Sequence, residues 1–199
     1  MNSQDFQHII QPFLNDFSQE EGYFDDDKKR IMYFKNNPLN ENSEEIVIKI
    51  STMEHNEIDQ LINSRRIMGD HIASLSIDAA LQQGSPDVVS SIAHLEVRHK
   101  PYFFYSFATR YCNWHRMDAY PVYDLAMHKV LEFYWKATDQ GTLLTDELFY
   151  YPRFKELVVS FRQQLLLDAL NFKELDKFIW IYGNRMLREA TQHQALLPH

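Results

Sequence analysis

Five glycines in 199 residues leave this chain few places for tight turns. Barrels and sandwiches spend glycine or asparagine at hairpin after hairpin, so the scarcity points to helices. Hydrophobic spacing agrees. Phe6, Ile9, Ile10, Phe13, Leu14 and Phe17 recur at helical intervals and predict an amphipathic helix over residues 4–18. Beyond residue 57 the same period continues through Ile58, Leu61, Ile62, Ile67 and Met68, then Ile72, Leu75, Ala79 and Ala80. Gly84-Ser-Pro86 should stop that run before a shorter helix over Asp87–Val97. Pro101 suits the first turn of a helix continuing through Tyr102–Trp114. Asp124 stands where an N-cap belongs before Leu125–Lys136, and Asn171 with Glu174 forms a capping-box pattern before the last helix. There Leu175, Phe178, Ile179, Tyr182 and Met186 fall on one face. The stretch EIVIKIS from Glu45 to Ser51 alternates Ile46, Ile48 and Ile50, which suits either a short strand near 46–51 or the apolar side of a helix. The expected class is all-α. A single compact multi-helix domain over residues 43–199 should follow an acidic helical segment and linker over 1–42, the linker being Asn36 to Asn42.

Apolar residues make up 45% of the chain, enough for a sizeable core and too many for global disorder. No run of eighteen apolar residues occurs, and the first residues lack a basic-then-apolar signal pattern. The expectation is a soluble cytoplasmic protein without a membrane partner. Cys112 is the single cysteine, which excludes an intrachain disulfide and a multi-cysteine zinc cage. No metal and no cofactor are expected.

A net charge of −8 argues at first against a nucleic-acid partner. Its distribution changes that. Residues 1–60 hold thirteen acids against five bases, so the whole excess lies in the N-terminal third. Within 93–117, Arg98, Lys100, Arg110 and Arg116 face only Glu96. The aromatic middle of the chain is thus locally positive and open to an anionic partner.

The chemistry-bearing residues crowd into Arg110 to Asp124 (RYCNWHRMDAYPVYD). Rings in such number either build a core or face a planar ligand such as a base. Asp124 is either a helix cap or a carboxylate steadied by a helix N-terminus and able to activate water. Cys112 and His115 lie one turn apart, but zinc wants four ligands in a structural site. A buried thiol and a hydrogen-bonded imidazole explain the pair better. A Cys112–His115–Asp124 nucleophilic triad would lack any evident oxyanion hole.

Pro-Val-Tyr-Asp124 followed by a helix resembles the helix-hairpin-helix DNA glycosylases, as does Ser-Phe-Ala-Thr-Arg-Tyr at 106–111, which is similar to a motif of their 8-oxoguanine glycosylase-like branch. The similarity covers roughly residues 60–185. Two departures limit it. The position that carries the Schiff-base lysine in the family holds Arg110, which cannot be that nucleophile. The phosphate-binding Gly-x-Gly hairpin is absent between Gly84 and Gly141. The resemblance therefore implies a monofunctional base-excising reaction. Asp124 would stabilise the sugar cation or activate water, with His115 beside it as a second catalytic group. Arg98, Lys100, Arg110, Tyr111, Trp114 and Arg116 would bind DNA. The alternative is a non-catalytic helical interaction or regulatory module whose acidic N-terminal segment meets a protein partner.

Overall fold

The computed structural model describes residues 1–19, 22, 25–53 and 63–195. The helical spacing at Ile58, Leu61 and Ile62 lies outside the described residues. The described residues form a predominantly helical protein with one two-stranded sheet, in two compact units. The first unit comprises residues 1–21 and 121–199; the second comprises residues 22–120. Among the described residues no helix is long and apolar enough to cross a membrane.

In the first unit, α1 (Ser3–Gln19) joins α8 (Leu125–Ala137), α9 (Thr145–Phe149), α10 (Tyr151–Gln164) and α11 (Phe172–Ala195). Aromatic rings line the joint. Phe6 meets the Tyr134 ring edge-on at 5.2 Å, Phe13 lies 5.4 Å from Tyr182, and Phe17 meets Phe178 edge-on at 5.5 Å. The face of α11 expected from its spacing, Leu175 to Met186, is buried throughout. Asn171 and Glu174 exchange the capping-box bonds, with Asn171 Oδ1 accepting from Glu174 N and Glu174 accepting from Asn171 N.

The second unit holds α2 (Asp25–Asn36), α3 (Ser43–Thr52), α4 (Ser64–Ser74), α5 (Asp78–Gln82), α6 (Asp87–Ala93), the strands β1 (His94–Val97) and β2 (Lys100–Phe103), and α7 (Tyr105–His115). Residues 46–51 are helical, not a strand. Asn42 caps α3 through bonds from Glu44 N and Glu45 N, and Ile46, Lys49, Ile50 and Met53 are buried at spacings of three and four. Ile48 points away and is 50% exposed. Helices α3 and α4 approach closely at Gly69, where a Cβ would come within 2.8 Å of Val47 Cγ2.

The strands lie elsewhere than expected. The helix α6 stops at Ala93, not Val97, and Pro101 sits in β2 instead of opening a helix. The hairpin pairs antiparallel in the register His94↔Phe103, Leu95↔Tyr102, Glu96↔Pro101 and Val97↔Lys100. Glu96 and Pro101 form a directly opposed pair, and Pro101 brings no N–H to it. One more bond, from Phe104 N to the Ala93 carbonyl at 2.8 Å, ties the stem to the helices on either side.

Candidate nucleic-acid interface

The crowded stretch around α7 divides sharply between core and surface. Phe107, Tyr111, Cys112 and Trp114 are buried, Tyr111 completely and Trp114 to 5% exposure. Phe34 of α2 seals that face: it stacks on Trp114 at 5.9 Å and meets Tyr111 and His115 edge-on. Tyr111 and Trp114, expected to hold a base, thus have their rings committed to packing. Arg110 is half-buried on the same helix. Arg116, at the end of α7, is held by both carboxylate oxygens of Asp118 and by the Gln82 carbonyl. Asp124 caps α8: its Oδ1 accepts from Met127 N at 2.8 Å. It belongs to the first unit, whereas His115 and the expected DNA-binding residues belong to the second.

Behind α7 lies a polar cluster that sequence spacing did not reveal. Asn40 sits at its centre and is buried. Its Oδ1 accepts from Tyr111 OH at 2.5 Å and from Lys49 Nζ at 3.0 Å. Its Nδ2 and backbone N donate to the two carboxylate oxygens of Asp78 at 2.7 and 3.0 Å. Lys49 also donates to the Leu39 carbonyl at 2.6 Å and has no exposed surface. Burial pulls its pKa down to about 8, against the pull of Asp78 and Glu45 in the other direction. Burial, aided by the charge on Lys49, pulls His115 down to about 3, so its imidazole is neutral. His115 Nε2 is enclosed without a hydrogen-bond partner among the described residues. Burial likewise raises the Tyr111 hydroxyl and the Cys112 thiol, which leaves Cys112 a poor nucleophile.

Arg98 and Lys100 are the expected binding residues that the fold brings together. Both are exposed at the tip of the hairpin, with His99 between them. Arg98 has φ +51° and His99 φ +61°, so both central residues of the two-residue turn are left-handed, as a type I′ turn requires. Glycine or asparagine normally fills such positions; other side chains cost about 1 kcal/mol or more each. His99 is paired with Glu96 at 3.4 Å, an exposed contact that offsets little of that cost. The tip therefore keeps basic side chains where backbone chemistry disfavours them. His99 and the turn itself were missed from the sequence because Val-Arg-His-Lys carries no turn residue.

The fold and the tip define a helical protein with a strained basic hairpin. The chain belongs to the HI_0787_N family of N-terminal domains, whose profile matches residues 9–119. It is also similar to an uncharacterized protein of Haemophilus influenzae, 30% identical over 121 residues, which covers 60% of this chain and 57% of that protein. The match thus spans little more than half of the relative's length. No solved structure matches. The family segment contains the hairpin and the Asn40–Lys49–Tyr111 cluster and stops short of Asp124.

Proposed function

We propose that this cytoplasmic protein is a non-enzymatic module that binds nucleic acid through the β1–β2 hairpin. The observation that carries the reading is the turn: Arg98 and His99 occupy two consecutive left-handed positions, with Lys100 beside them. Strain kept at an exposed site, where Asn-Gly would relieve it, is a signature of function. A projecting cationic tip matches phosphate, which supplies most sequence-independent affinity for nucleic acids. The base-releasing step implied by the glycosylase resemblance finds less support. Asp124 has a structural task as the α8 cap, and the rings that would cradle a flipped base, Tyr111 and Trp114, are buried.

Binding of a labelled DNA strand, followed by polarisation across a salt series, tests the reading. Wild-type affinity should fall steeply with salt. The double variant Arg98→Ala/Lys100→Ala should remain folded and reduce the logarithmic salt slope by about 1.4 to 1.8, one phosphate for each cation removed. Binding that is absent at low salt, or a slope unchanged in the double variant, would defeat it.

A further inference from the structure

A groove between α3 and α4 takes no part in the hairpin reading. Ser43, Glu44, Val47, Ile48, Arg66 and Asp70 line it, and its volume is about 420 Å³, a size that suits a small ligand. Gly69 holds its two walls together: a Cβ there would come within 2.8 Å of Val47 Cγ2 and 3.0 Å of the Ser43 carbonyl oxygen. The lining is ordered along the helices. Ser43 Oγ donates to Asp70 Oδ1 at 2.5 Å, and Glu44 is the next residue, so two carboxylates stand at one end. Arg66 and Asp70 are four residues apart on α4, as are Glu44 and Ile48 on α3, and each pair spans about one turn. Arg66 therefore stands one turn from Asp70. Val47 and the 50% exposed Ile48 make the apolar wall.

These charges do not neutralise one another. Among the described residues, neither Arg66 nor the Glu44 carboxylate has a hydrogen bond or ion pair, and Asp70 has the neutral Ser43 hydroxyl. A lone anion would meet two carboxylates here, and a lone cation would meet a guanidinium. A neutral apolar molecule would use only the Val47–Ile48 wall. One small molecule carrying both charges and an aliphatic group satisfies all three features. We propose that the α3–α4 groove binds a free aliphatic amino acid. Its carboxylate meets Arg66, whose fork matches that geometry. Its ammonium lies by Glu44 and Asp70, and its side chain rests on Val47 and Ile48. The site is independent of the hairpin and of nucleic acid.

Calorimetric titration of the full chain with L-leucine, leucinamide, N-acetylleucine and the dipeptide Leu-Gly tests this. Leucine should bind about tenfold tighter than leucinamide or N-acetylleucine, each of which lacks one charged partner. Arg66→Gln should weaken leucine about tenfold and leave leucinamide at its wild-type affinity. Glu44→Gln should weaken leucine and leave N-acetylleucine unchanged. Both positions are exposed on helices and glutamine is a good helix former, so the fold should persist. Absence of saturable leucine binding would overturn the proposal, and so would equal wild-type affinities for leucine and leucinamide. Equal losses of leucine and leucinamide in Arg66→Gln would do the same, because a distorted groove would then explain them. Tighter binding of Leu-Gly than of leucine would replace the free amino acid by a peptide.

Discussion

At the scale of single residues, a side chain's role depends on the partners the fold has already given it. Asp124 can be read as cap or as catalyst in one dimension, with the cap the commoner role for such a residue. In three, Oδ1 receives the Met127 N–H, and the cap is made. Asparagine keeps that acceptor and ranks with aspartate as an N-cap. Asp124→Asn should therefore unfold at the same denaturant concentration as wild type, whereas Asp124→Ala should lose about 1 kcal/mol. Urea unfolding followed by circular dichroism measures both. An asparagine variant as unstable as the alanine variant would show that the negative charge, not the bond, supports α8. Arg116 illustrates the same limit. Its charge was visible in the sequence, but its engagement by Asp118 and the Gln82 carbonyl depends on a turn and on a helix more than thirty residues earlier.

At the scale of elements, long amphipathic helices were legible and short or interrupted ones were not. In α11 the apolar positions 175, 178, 179, 182 and 186 keep spacings of three and four over three turns, so the period is plain even with Lys173 and Asp176 buried on the same helix. In α3 the buried positions are 46, 49 and 50, followed by the C-cap at 53, and a lysine fills one of them. With Lys49 removed from the apolar count, Ile46, Ile48 and Ile50 mimic strand alternation. The hairpin was hidden for a different reason. Its strands are four residues each, too short to display a period of two. Pro101 also imitates a helix start, and the turn lacks the residues that usually announce one. That last feature makes a direct test of strain against function. Replacing Arg98-His99 by Asn-Gly supplies the sequence a type I′ turn prefers. The double change should raise stability by about 1 kcal/mol or more while weakening nucleic-acid binding. A variant that is both less stable and equally good at binding would mean that the turn is neither strained nor functional.

At the scale of the whole molecule, the charge balance and the buried cluster act on different variables. The acidic N-terminal third sets the net charge of −8, while the Lys49 cluster sets how stability responds to pH. A lysine in a core slot cannot be found by hydropathy, because lysine normally marks the surface; its partners Asn40 and Asp78 sit in what reads as a linker and a short helix. The sign of the pH response follows from His115. In the folded protein it resists protonation until about pH 3, enclosed near Lys49 and against Phe34 and Tyr111. In the unfolded chain it takes a proton near its ordinary value of about 6.5. Between those values the unfolded state binds more protons, so stability rises with pH there and falls as pH drops from about 6.5 toward 3. The slope attributable to this group approaches about 1.4 kcal/mol per pH unit once pH is well inside that window. Lys49 works in an alkaline window with the same sign: the folded state releases its proton near pH 8 and the unfolded chain near about 10.4, so its burial cost is relieved as pH rises between them. Chemical unfolding of wild type and His115→Gln at pH 7 and pH 5 isolates the acidic component, because the carboxylates contribute alike to both proteins. Wild type should lose about 1–2 kcal/mol more than the variant over that interval. Identical losses in the two proteins would place the imidazole in solvent and dissolve the account of a neutral His115 packed against the lysine.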